Sequence, residues 1–192
     1  MKFRDSGMPD ELIWNTFFDL RTVLNQMEIT AGIKTLIDIG CGYGTFVIPI
    51  SEIIGGQAVG IDIDQEMIDI CTRKIKERGI KNIELICGDI SVNATLHPLI
   101  KYKGDVDYIT LFNILHCEYP QKLLKKAYNI LNINGKVGII HWIYGKTPRG
   151  PLMEIRPKPE TIIDWAEKAG LTLTRKIDLP PYHFGLIFNK CE

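Results

Sequence analysis

The sequence predicts a doubly wound α/β domain, with a mostly parallel, seven-stranded sheet that ends in an antiparallel hairpin. Three observations predict it. Short β-rich runs alternate with amphipathic stretches over most of the chain, the pattern of parallel βαβ units. A glycine-dense turn, Gly40-Cys41-Gly42-Tyr43-Gly44, follows the first of those runs directly. The last quarter then breaks the alternation, with two β-rich runs joined only by Leu179-Pro180-Pro181-Tyr182. A connection that short forces an antiparallel return, because a parallel one needs a crossover of roughly a dozen residues or more.

A helical leader comes first. Met8–Phe18 reads as an amphipathic helix with Asp10 as a candidate cap and Trp14, Phe17 and Phe18 at helical spacing. Residues 1–33 then form a helical cap outside the sheet, closing over a ligand or completing the apolar surface. The expected parallel strands are Thr35–Ile39, Ala58–Ile61, Ile83–Cys87, Val106–Leu111 and Lys136–Trp142. Helices are expected near Thr45–Ile54, Gln65–Arg78, Val92–Ile100 and Gln121–Leu131. Pro159–Ala169 reads as a helix closed by Gly170. Leu171–Asp178 and His183–Asn189 make the terminal hairpin.

The 192 residues suit one domain, 1–192, with 45% apolar and 24% charged residues, an ordinary globular balance. Basic and acidic residues number 23 each, so no global field draws the chain to nucleic acid or an anionic membrane, although a local basic patch stays open. The start lacks an apolar signal segment and no run is long enough to span a bilayer, which argues for a cytoplasmic protein. The five cysteines are odd in number and form no C-x-x-C pair. They read as free thiols and small buried hydrophobes, with no metal site, although Cys41, Cys87 and Cys117 near strand ends on one rim leave a soft-metal role as the alternative. The expected partner is a small molecule, with neither membrane nor nucleic acid; the oligomeric state is not readable.

Ligands in doubly wound sheets bind at the carboxyl ends of the strands, so the residues after each strand carry the argument. Glycines after a buried strand let a ligand approach the backbone closely. A dinucleotide fingerprint needs G-x-G-x-x-G, whereas here the spacing is G-x-G-x-G and Thr45 stands where the third glycine belongs. Asp38, two residues before Gly40, would repel a pyrophosphate and suits a cationic ligand. Asp62 ends the second run 18 residues beyond Gly44, where a carboxylate can accept from two ribose hydroxyls. Asp62 and Asp64 are also both plausible helix caps.

Leu36–Phe46 closely resembles the first motif of class I S-adenosylmethionine-dependent methyltransferases, and the outline of five parallel strands, a helix and a terminal hairpin resembles their Rossmann-like fold. The resemblance, to a group of small prokaryotic small-molecule methyltransferases, implies an enzyme that binds S-adenosylmethionine and releases S-adenosylhomocysteine. It implies cofactor contacts at Asp38, Gly40, Cys41, Gly42, Gly44, Asp62 and Asn113. Ile63 and Met67 would touch the adenine, Asp89 would accept from its amino group, and Ile90 would pack on its ring. Asp89 could equally cap the helix from Val92. The Asn/Asp-Pro-Pro-Tyr/Phe motif of nucleic-acid amino-methyltransferases is absent after the fourth strand, and Pro180-Pro181-Tyr182 lies in the hairpin instead.

The acceptor is less legible. His116, His141 and Tyr144 are candidate bases, with His183 a further one, and each also reads as a structural side chain. Residues 144–158 lack a secondary-structure pattern and hold four basic side chains. Loops of this kind are usually functional or disordered. With Trp14, Phe18 and Trp142 for an apolar body and Arg149 and Arg156 for an anion, the loop suits a small anionic acceptor. A nucleotide-dependent oxidoreductase and a non-catalytic methyltransferase-like regulatory subunit are the alternatives. The glycine spacing and the hairpin weigh against the first, the acids Asp38, Asp62 and Asp89 against the second.

Overall fold

The computed structural model describes Phe17, residues 19–90, 97–102 and 104–191. Trp14, Phe18 and the helix expected from Met8 lie outside the described residues, as does the start of the helix expected at Val92. The elements in order are α1 (Leu20–Gln26), β1 (Thr35–Ile39), α2 (Val47–Ile53), β2 (Gln57–Asp62), α3 (Gln65–Arg78) and β3 (Ile83–Cys87). A 3-10 turn (His97–Tyr102) leads to β4 (Val106–Phe112), α4 (Pro120–Ile130), β5 (Leu131–Trp142), α5 (Pro159–Ala169), β6 (Leu171–Leu179) and β7 (His183–Lys190).

The seven strands form one sheet in the order β3-β2-β1-β4-β5-β7-β6. The first five in that row pair in parallel, and β7 runs antiparallel to both β5 and β6. The chain winds outward from β1 to β3, then resumes on the other side of β1 with β4. The switch point is therefore the crevice at the carboxyl ends of β1 and β4.

Helices on both faces explain why β1 is buried at every residue and reads as a continuous apolar run rather than an alternating one. One face packs Ile37, Val59, Ile109, Val137 and Leu186 against α4 and α5. The other packs Leu36, Ala58, Tyr108, Ile140 and Ile187 against α1, α2 and α3. Burying each such aliphatic side chain contributes roughly 1.5–3 kcal/mol, so the sheet is a stiff platform for its carboxyl rim.

Local chemistry sets the helix ends. Asp64 caps α3, its Oδ1 accepting from the Glu66 backbone N–H at 2.9 Å, and Gly79 closes it at φ 66°. Asp19 caps α1 through the Thr22 backbone N–H. Pro120 and Pro159 open α4 and α5 in the first turn, where a missing N–H leaves nothing unpaired.

Candidate active site

The turn after β1 is tied down by main-chain bonds. The N–H groups of Gly40 and Cys41 both donate to the Ile61 carbonyl, at 2.7 and 3.0 Å, hooking the turn onto the end of β2. Gly40, Gly42 and Gly44 have φ of 79°, 51° and 81°, the left-handed region that glycine alone enters freely. A Cβ at Gly44 would stand 2.7 Å from Ile48 Cδ1 and 2.9 Å from Cys71 Sγ, so the turn is packed beneath as well.

Asp62 is aimed at this turn. Its Oδ2 accepts from Gly42 N–H at 2.8 Å and its Oδ1 from Asp64 N–H at 3.0 Å. An ionised carboxylate offers about four acceptor positions, so two remain for another donor pair. Capping belongs to Asp64, which frees Asp62 for a ligand. Burial pushes the Asp62 carboxyl up, and the Asp64 and Gly42 N–H groups pull it back. Asp38 lies in the neighbouring strand, where the Thr110 hydroxyl donates to its Oδ1 at 2.6 Å. Burial lifts its pKa to about 7, the Thr110 hydrogen bond opposes the rise, and the nearby Asp62 charge adds to it. A cation beside these two acids would hold both ionised.

Across the switch point, Asn113 follows β4 at φ 55°, a left-handed conformation that Asn adopts more readily than other non-glycine residues. Its N–H donates to the Ile140 carbonyl at 2.7 Å, while both polar atoms of its side chain are buried without a hydrogen-bond partner among the described residues. A buried side-chain amide left unpaired at the carboxyl edge makes Asn113 a candidate ligand contact. The resemblance points to Asn113; its unpaired amide is visible only in the structure.

The structure brings two of the candidate bases together. The His116 and His141 rings lie 5.7 Å apart, edge to face, and both side chains are buried. Neither His141 nitrogen has a hydrogen-bond partner among the described residues, and burial, then the adjacent His116, holds its pKa well below the usual range. His183 packs on Trp142 with centroids 4.2 Å apart, and burial, then Arg156, lowers its pKa to about 3. Tyr144 stands apart from this group, exposed, with Lys158 Nζ 4.8 Å above its ring.

Among the adenine candidates, Ile63 is exposed on the rim directly after Asp62, and Met67 is half-buried in the first turn of α3. Asp89 is half-buried beyond β3. Ile90 departs from expectation: its side chain is in the core with Leu99 and Leu115, leaving no open face for a ring. Cys41 is buried under the turn beside Cys71, whose thiol donates to the Gly42 carbonyl at 3.1 Å. That neighbour and burial push the Cys41 thiol up, as expected of an inert core cysteine. Cys87 and Cys191 are exposed rather than buried, and the described residues contain no cluster able to hold a metal.

Two acceptor candidates are corrected. Trp142 is buried, enclosed by Phe17 (5.4 Å), His183 and Tyr182 (6.4 Å), so it anchors the rim instead of facing a substrate. Arg156 is also buried. Its guanidinium donates to Pro151 O at 3.1 and 2.7 Å, Ile143 O at 3.1 Å, Gly145 O at 3.0 Å and Thr147 Oγ1 at 3.0 Å. It is the staple of the loop, and Arg149 is the arginine that stays exposed. The aromatic knot of Phe17, Trp142, Tyr182 and His183 has no local sequence signal, because it joins three distant segments.

Comparison with known proteins agrees with this geometry. A family model described as a methyltransferase domain matches residues 36–135. The demethylmenaquinone methyltransferase of Oceanobacillus iheyensis is 28% identical over 188 residues, covering 90% of this chain and 76% of that protein. That of Lactococcus lactis is 29% identical over 117 residues, 59% of this chain. The chain spans about half the length of several such curated relatives, 44% for the Lactococcus protein. A solved S-adenosylmethionine-dependent methyltransferase from Aquifex aeolicus superimposes with a TM-score of 0.82 at 24% identity, covering 94% of each chain. The glycine turn, the acid after β2 and the antiparallel β7 all fall within this shared fold, and the chain belongs to the methyltransferase domain family, the class I S-adenosylmethionine-dependent methyltransferases.

Proposed function

We propose that this chain transfers a methyl group from S-adenosylmethionine to a small-molecule acceptor at the switch point between β1 and β4. The observation that carries the reading is Asp62, oriented by the Gly42 N–H with acceptor positions to spare for a ribose. Gly40, Cys41, Gly42 and Gly44 form the floor on which the donor would lie. Asp38 would offset its ammonium, Asn113 would meet its methionine end, Ile63 and Met67 would flank the adenine, and Asp89 would accept from the adenine amino group. When bound, S-adenosylmethionine supplies an electrophilic methyl on a sulphonium with a neutral thioether as leaving group. The chain's own residues then need only align an acceptor in line and keep water out. An acceptor that is protonated at working pH also needs a base. His116 is assigned that role, with uncharged His141 packed behind it.

The relatives' names favour a quinone-type ring as the acceptor class, and Arg149 supplies an exposed cation for an anionic oxygen on it. The test is incubation with labelled methyl donor and metabolite extracts, followed by identification of the labelled product. Label in one acidic or phenolic small molecule, lost in Asp62→Ala, supports the reading. Binding of S-adenosylhomocysteine with no label in any product would leave a non-catalytic subunit as the better description. A thermal shift with NAD and none with S-adenosylhomocysteine would favour an oxidoreductase.

A further inference from the structure

The loop after β5 presents an apolar tip that nothing in the described residues covers. Leu152 is 67% exposed and Tyr144 47%, with Ile143 and Met153 each 36%. They flank the Arg156 staple in the chain, where the carbonyls of Ile143, Gly145 and Pro151 converge on one guanidinium and tie the two ends of the loop together. The loop sits tightly on Trp142 at Gly150, where a Cβ would stand 2.7 Å from the indole ring and 3.0 Å from Arg156 Nη2.

The charge around this tip is one-sided. Residues 143–158 hold four basic side chains and one acid, Glu154, in a chain whose formal net charge is zero. Arg156 is consumed by the staple. Lys146, Arg149 and Lys158 are exposed and form no ion pair among the described residues. The next acid along the chain is Glu160, in the first turn of α5.

We propose that residues 143–158 dock the protein on an anionic phospholipid surface, with Leu152, Met153 and Tyr144 in the interface and Lys146 and Lys158 among the headgroups. Apolar tips ringed by cations fit a bilayer, whose surface is negative and whose interior is apolar. A protein-binding patch would instead be depleted in lysine at its centre. No described helix is long and apolar enough to span a membrane, so this is a surface contact. The loop leaves the carboxyl end of β5, on the same rim as the glycine turn and Asn113. Docking there would hand the site an acceptor drawn from the bilayer, a step that rests on the methyltransferase reading above.

The experiment is co-sedimentation of the full chain with vesicles of phosphatidylglycerol and phosphatidylcholine in equal parts, and with phosphatidylcholine alone. Binding to the mixed vesicles, weakened by added salt, is expected. Leu152→Ser/Met153→Ser should weaken it about tenfold or more, and Lys146→Glu/Lys158→Glu about twentyfold or more. No binding to mixed vesicles, or binding that neither double variant alters, overturns the proposal. A dimer in ultracentrifugation that Leu152→Ser/Met153→Ser dissociates assigns the tip to a second copy and overturns it too. S-adenosylhomocysteine calorimetry on the same samples separates the readings: its loss in the unaltered chain fails the methyltransferase reading without touching vesicle binding.

Discussion

The two halves of the carboxyl rim are built by different means. On the β1–β2 side the glycine turn is fixed by backbone bonds to Ile61 and by Asp62 binding Gly42 and Asp64, all within a few dozen residues. On the β4–β5–β7 side the rim is fixed by side chains from distant segments: His116 on His141, Trp142 on His183, and Phe17 on Trp142. On the proposed function the first half holds the donor and the second faces the acceptor. Substitutions on the first side should therefore change donor affinity most, and those on the second should leave it intact.

The largest effect is expected for Gly42→Val. A β-branched residue at φ 51° is strained, and its side chain would take space a ligand on the turn needs. S-adenosylhomocysteine binding should fall by more than about a hundredfold, equivalent to roughly 3 kcal/mol, while far-ultraviolet circular dichroism stays that of the folded chain. Retained affinity would move the donor away from this turn. Asp62→Ala comes next. Removing a charge-assisted contact costs roughly 1.5–3 kcal/mol, about ten- to more than a hundredfold in dissociation constant. Unchanged calorimetry in a folded variant would remove Asp62 from the ribose site.

A smaller effect follows from Asp38, whose pKa of about 7 lies well above the 3.8 of an ordinary aspartate. With the folded pKa raised, the folded state holds the proton more tightly than the unfolded chain. Its contribution favours folding at low pH and is lost as pH rises from about 4 through 7, whereas buried His141 and His183, whose pKa values are lowered, favour folding as pH rises. The quantity that isolates Asp38 is therefore the melting difference between the unaltered chain and Asp38→Asn at pH 8 and at pH 5.5. A cationic donor prefers the ionised carboxylate, so its affinity has the opposite trend and should drop about tenfold between pH 8 and pH 6. Asp38→Asn should flatten that dependence and raise the melting temperature at pH 8. Parallel pH profiles in the variant and the unaltered chain would mean that Asp38 does not face the donor.

The same division explains what the sequence revealed. β1 and α3 begin and end where their patterns predict, because a strand buried on both faces and the Asp64 and Gly79 caps are local signals. β5 begins at Leu131, earlier than the expected Lys136. Leu131 pairs with Val106 before a register shift to Tyr108 and Lys136, and the intervening Asn132, Asn134 and Gly135 look like an ordinary turn. Asp62 was legible as a ribose acid or a cap; the structure gives the cap to Asp64 and turns Asp62 to the Gly42 N–H, a partner that no local pattern encodes. Trp142 read as a substrate platform because its burial depends on lying opposite His183 in β7, a register that no local pattern encodes. Arg156 misled for a related reason: arginine binds carbonyls as readily as anions, and its partners lie on both sides of the loop.

Arg156 also supplies the variant that should leave donor affinity unchanged. Its guanidinium makes hydrogen bonds to three carbonyls and one hydroxyl, each worth roughly 1.5–3 kcal/mol when one partner is charged, though not additively. Arg156→Ala should lower the melting temperature and open residues 143–156 to proteolysis, since among the described residues its guanidinium is what ties Ile143 and Gly145 to Pro151. Lysine is a poor substitute, because one ammonium cannot span the fork that reaches both sides, so Arg156→Lys should restore little of the protection. Arg149→Ala, exposed and outside the staple, should alter neither melting nor proteolysis and should raise the acceptor KM alone. S-adenosylhomocysteine affinity within twofold of the unaltered chain in all three variants is what two independently built halves require. A tenfold loss in Arg156→Ala, with the sheet still folded, would mean that the loop closes over the donor and that the two halves of the rim act as one.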